Sequence, residues 1–434
     1  MANKQTFDFS RRSVVLALAG VMAELTGCGG GGADGLLAGG PGNAGTNTSG
    51  LSSGGTGDFP VTGTDTAGLS SGGTGSFTSG TITGFGSIIV NGIRYDDSAA
   101  TIVSDEDSIG DQSALQIGVV VVIEGSAVSP AKTPTDLPTA KANRITYGSE
   151  WIGPVSSIVK SGANNTFQIL GNTVDVLTST VFSGSATQMS ELTSNHYAEI
   201  YGYVDQTNGH IQASRIEVTT NRPTTYKLSG AIDQVLSMTA KLGQTSIAWG
   251  DSSVLSAAVV NGAFVRATLN PTPNGSVYTA TRIRILTSPL VKITDDKVYQ
   301  AEIKGSITEY TSNAQFTVNG IPVDASKAKV SGTLRLGAQV EIKGTVKSGL
   351  LTATEVSVQT VEKVESKEYE FIGYISNLNT LAQTFVLKEL SFDYDSNTEN
   401  KNILNKNRIS EMKVKVKAKR INGRWLAIQI ESDD

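Results

Sequence analysis

Internal repetition constrains the fold of this 434-residue chain more than any other feature of its sequence. A short motif, Gly followed by any residue and then Ile or Val, opens five segments at Gly80, Gly153, Gly230, Gly305 and Gly373. Each segment closes on a second motif, Ala-x-x-Ile or Ala-x-x-Val, at residues 142–145, 213–216, 280–283, 353–356 and 427–430. The sequence therefore predicts five tandem copies of one structural unit.

A hairpin follows the opening motif in each copy. In copies one and four, Asn91-Gly92 and Asn319-Gly320 lie between alternating apolar residues. Asn-Gly in this setting is the strongest short-range hairpin signal, because a type I′ turn requires positive φ at both central positions. We place the corresponding turns at Gly171-Asn172 in copy two and Gly243-Gln244 in copy three, whereas Lys388-Glu389 in copy five departs from the pattern.

The remaining strands of the unit are also visible in the sequence. Apolar runs led by Gly118 and Gly337 follow the hairpins of copies one and four, and the closing motif supplies a further strand. No long segment shows the 3.6-residue period of an amphipathic helix. Several strands in so short a segment bury most surface by closing into a small barrel, which also removes exposed edges. We therefore predict an all-β chain of about five small, roughly five-stranded barrels, either OB-like or SH3-like.

A segment dominated by Gly, Ser and Thr precedes the repeats, and GLSSGGTG occurs in it twice. Such a composition cannot bury enough apolar surface to offset the entropy of ordering, so we expect a disordered tether with a reach of about 40 Å. The predicted boundaries are a signal peptide over residues 1–27, a lipidated cysteine and linker over 28–79, and barrels over 80–148, 152–219, 229–287, 303–359 and 370–434.

The N-terminus has the layout of a secretory signal peptide. The basic residues Lys4, Arg11 and Arg12 precede an apolar run from Ser13 to Met22. This run is too short to cross a bilayer as a helix, which takes about 20 apolar residues. The pair Arg11-Arg12 also resembles a twin-arginine export signal, so the export route stays open.

The only cysteine of the chain, Cys28, follows the apolar run closely. Leu25, Thr26 and Gly27 before it resemble the bacterial lipobox, and this resemblance implies cleavage before Cys28 and acylation of its thiol. Several acyl chains would anchor the protein stably, whereas one alone would bind a membrane only marginally. By resemblance to such lipoproteins, Gly29 after the cysteine implies sorting to the outer membrane, on either its periplasmic or its cell-surface side. The alternative is a plain secreted protein with one odd cysteine.

The glycine-punctuated unit resembles a bacterial family of domains of unknown function, numbered 5666 (DUF5666), which occurs in tandem in exported proteins. The resemblance covers most of residues 80–432 and is clearest in copies one and four. It implies a small β-barrel and a cell-envelope location, and it implies no activity.

One charged feature stands out in copy five, where lysine alternates with apolar residues along a predicted strand. The alternation places four lysines on one face: Lys413, Lys415, Lys417 and Lys419. This face could bind an anionic partner such as lipopolysaccharide or a polyanionic glycan, or it could prevent edge-to-edge aggregation, which we favour. The net charge of −5 and the low aromatic content argue against nucleic acid as a partner.

Residues able to support catalysis or metal binding do not recur between copies. The two histidines, His196 and His210, occur only in copy two, and we expect them to be exposed residues of a strand and a turn. Acidic clusters at Asp96-Asp97, at residues 105–107 and at Asp295-Asp296 lie in predicted turns and connections, where aspartate is common. We therefore expect no catalytic site, no metal site and no cofactor.

Three functions remain in competition. The first is a non-catalytic cell-envelope lipoprotein that serves as a binding or scaffolding module, with avidity from its repeats. The second is a binder of anionic glycan or lipopolysaccharide through the basic copy five. The third is a periplasmic hydrolase with an active site between barrels. The repeats, the tether and the lack of a recurring polar site favour the first function, with an envelope protein or a glycan as partner.

Overall fold

The computed structural model describes residues 75–433 except 107, 134–135, 162–164, 206–207, 256–257, 287–296, 360–367, 389, 407 and 422. Within this part of the chain, the secondary structure consists of 27 β-strands and a few short 3₁₀ helices. None of the helices described there is long and apolar enough to span a membrane. The strands form five small barrels, which confirms the predicted all-β fold class.

Barrels 1 to 3 follow one another along the chain. The strands of barrel 1 are β1 (Ser76–Phe85), β2 (Ile88–Val90), β3 (Ile93–Asp96), β4 (Thr101–Ser104), β5 (Val120–Gly125) and β6 (Thr139–Tyr147). Barrel 2 comprises β7 (Trp151–Val159), β8 (Asn165–Ile169), β9 (Asn172–Gly184), β10 (Tyr197–Asp205) and β11 (His210–Thr219). Barrel 3 comprises β12 (Tyr226–Asp233), β13 (Thr239–Leu242), β14 (Thr245–Ala248), β15 (Phe264–Leu269) and β16 (Val277–Ile285).

Barrels 4 and 5 complete the described chain. The strands of barrel 4 are β17 (Tyr299–Ser312), β18 (Gln315–Val318), β19 (Ile321–Asp324), β20 (Lys329–Ser331), β21 (Gln339–Lys347) and β22 (Leu350–Val358). Barrel 5 comprises β23 (Tyr369–Asn379), β24 (Thr384–Leu387), β25 (Leu390–Asp393), β26 (Lys413–Ile421) and β27 (Arg424–Ser432).

All five barrels share one strand order, which barrel 2 illustrates. Its first strand pairs antiparallel with the second and the fourth strands, and its fourth strand pairs antiparallel with the fifth. The third and fifth strands, β9 and β11, pair in parallel, and the equivalent parallel pair closes the other barrels. This circular order is that of the OB fold, a five-stranded Greek-key barrel. The OB-like alternative is therefore correct, and the SH3-like one is not.

The opening glycine of the repeat and the hairpin turn are coupled in space. Asn91 has a φ of 52°, and its side chain folds back so that Nδ2 donates to the carbonyl oxygen of Ser79 at 3.0 Å. A Cβ atom at Gly80 would collide with that side chain. A Cβ atom at Gly305 of barrel 4 would likewise collide with Asn319, whose Oδ1 there accepts a hydrogen bond from the backbone N–H of Ser306 at 3.1 Å. The glycine of the opening motif therefore makes room for the asparagine of the turn.

The hairpin turn of barrel 2 differs from the prediction. Ile169 pairs with Asn172, so the turn residues are Leu170 and Gly171, one position earlier than expected. In barrel 5, Lys388 adopts a φ of 49° although it is neither Asn nor Gly. The first turn residue thus keeps the left-handed conformation in barrels 2 and 5, which lack an Asn-Gly pair at this turn. The pairing of the two flanking strands imposes this conformation.

The barrels are joined edge to edge through their strands. The N-terminal part of β1, Ser76–Ser79, pairs in parallel with β17 of barrel 4, and its C-terminal end, Gly84–Phe85, pairs in parallel with β23 of barrel 5. Barrels 1, 4 and 5 thereby form one 17-stranded sheet. Barrels 2 and 3 form a second sheet of 10 strands, which is joined where Ile152 pairs with Lys227.

The hydrophobic cores are shared between barrels in the same way. Side chains alternate along β1, so Thr78 points into barrel 1, where its hydroxyl lies 2.6 Å from that of Tyr95. Phe77 points to the opposite face and packs in the core of barrel 4, where it is 3% exposed. Barrels 1 and 5 contribute to one core and barrels 2 and 3 to another. The described part of the chain therefore has fewer cores than barrels.

Candidate functional site

The predicted lysine face lies on the outside of barrel 5. Its residues are Lys413, Lys415, Lys417 and Lys419, and the apolar residues between them are buried in the core. Three of the lysines form ion pairs: Lys413 with Asp433 at 2.8 Å, Lys415 with Glu431 at 2.9 Å and Lys419 with Glu368 at 3.4 Å. Lys417 lies opposite Glu370 in the register of β26 and β23. Nearby carboxylates thus offset most of this positive charge.

A buried ion cluster joins barrel 1 to barrels 2 and 3. Asp105, in the turn after β4, contacts the guanidinium of Arg266, and Nζ of Lys227 lies 3.8 Å from its carboxylate. Arg266 is 7% exposed, and its Nη2 donates to Glu150 of barrel 2 at 3.2 Å. Burial raises the pKa of Asp105, although both cations act to lower it. Asp105 therefore lies in a turn, as predicted, but it contributes to a contact between barrels, which the sequence did not suggest.

Most of the ion pairs between barrels involve the same position of the repeat, which sequence analysis missed. Three residues before the opening glycine, the five copies carry Phe77, Glu150, Lys227, Glu302 and Glu370. Three of the charged residues pair across a barrel boundary: Glu150 with Arg266, Lys227 with Asp105 and Glu370 with Arg94. Phe77 packs in the core of barrel 4. Alignment of the five copies on their glycines would have revealed this position.

Glu302 is the least exposed of these charged residues, at 3%. It lies opposite Thr78 where β17 pairs with β1, so its side chain is enclosed between barrels 1 and 4. Its Oε1 atom has no hydrogen-bond partner among the described residues, and Nζ of Lys343 is 3.8 Å away. Burial raises the pKa of Glu302 to about 8, because desolvation outweighs the attraction of Lys343. The folded chain therefore favours the neutral acid at this position.

This shift predicts a pH dependence of stability. The folded-state pKa of Glu302 lies above its ordinary value of 4.5. The stability that the protonated side chain contributes to the folded state is therefore complete below about pH 4.5 and is lost as the pH rises through about 8. We expect Glu302→Gln to remove this loss and to raise the free energy of unfolding at about pH 9 by on the order of 2–4 kcal/mol. Urea denaturation of both chains at about pH 5 and about pH 9 measures the difference.

Glu309 provides a matched control for this prediction, because it lies on the same strand with an exposed side chain. Glu309→Gln is expected to leave the pH dependence of the wild-type chain unchanged. A Glu302→Gln chain whose stability falls with pH as steeply as that of the wild type would contradict the assignment.

Two small cavities lie at junctions between barrels in the described part of the chain. One, of about 170 Å³, lies between barrels 2 and 3 beside Trp151 and Asn172. The other, of about 120 Å³, lies where barrels 1, 2, 3 and 4 converge, beside Glu150, Tyr203 and Ser306. Both are smaller than the roughly 300–1,000 Å³ of a typical small-molecule site. They are large enough for only one small chemical group.

The other predicted residues are placed as follows. Nδ1 of His196 accepts a hydrogen bond from the backbone N–H of Thr193 at 3.2 Å, and Nδ1 of His210 lies 3.2 Å from Asp175. Among the residues that the structure describes, no group of three or more His, Cys, Asp or Glu side chains could hold a metal ion. The predicted lipidation residues, Leu25, Thr26, Gly27 and Cys28, lie outside the described residues, as do Asp107 and Asp295-Asp296.

Comparison with known families assigns three of the barrels. Residues 152–217, 304–357 and 372–431 match the model of a family described as Domain of unknown function (DUF5666). These segments coincide with barrels 2, 4 and 5, so the chain carries repeats of this domain, as the resemblance predicted. Barrels 1 and 3 lie outside the match, whereas the sequence predicts that the resemblance is clearest in copies one and four. Barrel 1 has the longest connection between its last two strands, residues 126–138, where barrel 4 has only residues 348–349.

Comparison with solved structures finds similarity to a chain described as "drosophila Unr CSD456". The identity is 13% and the TM-score 0.12, and the alignment covers 48% of this chain and 97% of that chain. No curated protein matches the sequence.

Proposed function

We propose that this chain is a non-catalytic lipoprotein of the bacterial cell envelope that serves as a binding or scaffolding module. The lipid is carried by Cys28, the tether extends from there to the first barrel, and the membrane is the outer membrane. The five OB-type barrels form the functional part, with an envelope protein or a glycan as partner.

The observation that carries this proposal is the way in which the barrels are joined. β1 pairs with strands of barrels 4 and 5, and Phe77 of barrel 1 completes the core of barrel 4. Barrels held by shared sheets and shared cores keep fixed positions relative to each other, unlike domains connected only by linkers. A body of this kind can present several surfaces in a fixed arrangement, which is what a scaffold requires.

The positions of the carboxylates between the barrels support a non-catalytic function over a hydrolase. Hydrolysis of a glycoside uses two carboxyl groups that face each other across a substrate cleft. Here Asp105 and Glu150 both face Arg266, and Glu370 faces Arg94 at 2.5 Å. These acids hold barrels together, so a structural role accounts for their positions between the barrels.

The lysine face of barrel 5 is assigned a structural role within this proposal. Three of its four lysines already have carboxylate partners within 3.4 Å. An anionic glycan, lipopolysaccharide or nucleic acid would have to displace those partners, which offsets the gain from the new contact. We therefore place the binding surface of the protein elsewhere.

Lipid attachment is tested directly by replacement of Cys28. We expect Cys28→Ser to abolish incorporation of an alkyne-labelled fatty acid and to release the protein from the membrane fraction, because the thiol is the acylation site. Labelling followed by membrane fractionation of a producing bacterium measures both effects.

Gly29 supplies the control for this test. Gly29→Asp is expected to keep the fatty-acid label while moving the protein from the outer to the inner membrane. Unchanged labelling of the Cys28→Ser chain would contradict lipidation at this residue, and loss of label in the Gly29→Asp chain would show that processing itself had failed.

A further inference from the structure

Asn-Gly pairs recur along the chain, and they are chemically labile as well as suited to tight turns. Asparagine is a thermolabile residue, because the backbone nitrogen of the next residue can attack its side-chain amide. Glycine in that next position permits the close approach, since it has no Cβ atom. The sequence contains six such pairs, at 91–92, 208–209, 261–262, 274–275, 319–320 and 422–423. Asn422 lies outside the described residues, so the fold can be related to the reactivity of the other five.

Two kinds of hydrogen bond slow this reaction in a folded chain. One holds the asparagine side chain, and the other holds the backbone N–H of the glycine. Either bond must open before the nitrogen can reach the side-chain carbon, so the reaction waits for a local opening of the fold. The pairs can therefore be ranked by the hydrogen bonds that restrain them.

The asparagines of the first hairpin in barrels 1 and 4 are restrained in this way. Nδ2 of Asn91 donates to the carbonyl oxygen of Ser79 at 3.0 Å. Oδ1 of Asn319 accepts from the N–H of Ser306 at 3.1 Å, and the N–H of the following glycine donates to the hydroxyl of Thr308 at 3.3 Å. Both asparagines are also half-buried.

Two further pairs, in barrels 2 and 3, are restrained at both groups. Oδ1 of Asn208 accepts from the N–H of His210 at 2.9 Å, and Oδ1 of Asn261 accepts from the N–H of Val235 at 2.8 Å. In each pair, the glycine N–H also donates to a main-chain carbonyl oxygen at 2.8 Å. Exposure alone therefore does not make these asparagines reactive.

The pair Asn274-Gly275, in the connection between β15 and β16 of barrel 3, lacks both restraints. Within the part of the chain that the structure describes, neither the Asn274 side chain nor the N–H of Gly275 has a hydrogen-bond partner. Both residues are exposed, and a Cβ atom built at Gly275 would meet nothing beyond its chain neighbours within 4 Å. The two reacting groups can thus approach each other without opening the fold.

The turn itself requires the residue that makes this asparagine reactive. Asn274 and Val277 exchange backbone hydrogen bonds at 2.9 and 3.1 Å, so Gly275 and Ser276 form a two-residue turn. Gly275 has a φ of 62° at the first turn position, where a type II′ turn places glycine. A residue with a Cβ atom would be strained in this conformation.

We propose that Asn274 is a site of spontaneous covalent modification, and that in the folded chain it is converted to aspartate and isoaspartate ahead of the other four described Asn-Gly asparagines. The nitrogen of Gly275 loses its proton and bonds to Cγ of Asn274, the bond from Cγ to Nδ2 breaks, and ammonia leaves with that proton. Water then opens the resulting succinimide ring. Cleavage of the bond from the ring nitrogen to Cγ gives aspartate, and cleavage of the bond to the main-chain carbonyl carbon gives isoaspartate.

Both products change the tip of barrel 3. Each adds a negative charge, and isoaspartate also inserts a methylene group into the main chain. The two backbone hydrogen bonds between Asn274 and Val277 cannot both keep their geometry in the longer chain. This inference goes beyond the proposed scaffold and does not depend on it.

Peptide mapping by mass spectrometry of the full chain, after incubation at neutral pH, tests the proposal. We expect Asn274 to be converted at least about fivefold faster than each of the other four, because one hydrogen bond represents a factor of about this size. Incubation in urea provides the reference. Unfolding removes every restraint, so the five rates should then differ by less than this factor.

Two variants complete the test through the ammonia that the native chain releases. Asn274→Gln should remove the fast phase of release, because the longer side chain forms the ring much less readily. Asn221→Gln changes an exposed asparagine that arginine follows, and it should leave the release unchanged. Conversion of Asn274 no faster than that of Asn91 or Asn319 in the native chain would overturn the proposal, as would the same order of rates in urea.

Discussion

Phe77→Ala is expected to lower the free energy of unfolding by about 3–5 kcal/mol, the usual cost of removing a buried phenylalanine side chain. Phe77 belongs to barrel 1 in sequence, yet it is 3% exposed within the core of barrel 4. The truncation should therefore leave a cavity in a barrel that begins more than two hundred residues further along the chain. Chemical denaturation measures the loss of stability, and hydrogen exchange shows where it falls.

The location of the effect distinguishes joined barrels from independent ones. In the Phe77→Ala chain, amide protection should fall in β17 and β21 of barrel 4 as well as in β1. Tyr310→Ala supplies the control, because Tyr310 lies on barrel 4 with 38% exposure and should change stability little. Protection in barrel 4 that is unaffected by Phe77→Ala would show that the two barrels do not share a core.

Arg266→Met is expected to cost up to about 3–5 kcal/mol, since it leaves two partly buried carboxylates without their main partner. The methionine side chain fills much of the volume of the arginine. The loss of stability therefore reflects the missing charge pairing and not a cavity. Asp105 and Glu150 both depend on this guanidinium, and Lys227 at 3.8 Å from Asp105 compensates only in part. Thermal and urea denaturation at neutral pH measure the effect.

Two further variants test the reason for this loss. Arg282→Met changes an exposed arginine on the neighbouring strand β16, and it should alter stability by no more than about 0.5 kcal/mol. Addition of Asp105→Asn to Arg266→Met should restore part of the lost stability, because the unpaired charge is removed. Equal effects of Arg266→Met and Arg282→Met would contradict the structural role of the cluster.

The architecture of one barrel could be predicted from the sequence because it depends on local signals. Asn91-Gly92 and Asn319-Gly320 indicate hairpins, and the glycines at 80 and 305 recur because the asparagine side chains fold back onto the first strand. The choice between OB-like and SH3-like topology could not be made. It depends on whether the third strand pairs with the fifth, a long-range contact that leaves no local pattern.

The junctions between barrels were missed for a related reason. The sequence places Phe77 in the predicted linker, residues 28–79, whereas β1 already begins at Ser76 and Phe77 packs in the core of barrel 4. Asp105 lies in an acidic turn segment, where aspartate is common, so nothing in the sequence indicates a contact with another barrel. The recurring charged position at Glu150, Lys227 and Glu370 was visible in principle, but its partners are distant in sequence. The lysine face was correctly placed on a strand, whereas its carboxylate partners became apparent only in the folded chain.

Calorimetry of the full chain tests most directly whether the five barrels behave as one joined body. The shared sheets and cores, together with the ion cluster that joins barrel 1 to barrels 2 and 3, predict a single heat-absorption peak with a calorimetric enthalpy close to the van't Hoff enthalpy. Separate peaks for individual barrels, or a calorimetric enthalpy several times the van't Hoff value, would show that the barrels unfold independently and would contradict the scaffold proposed here.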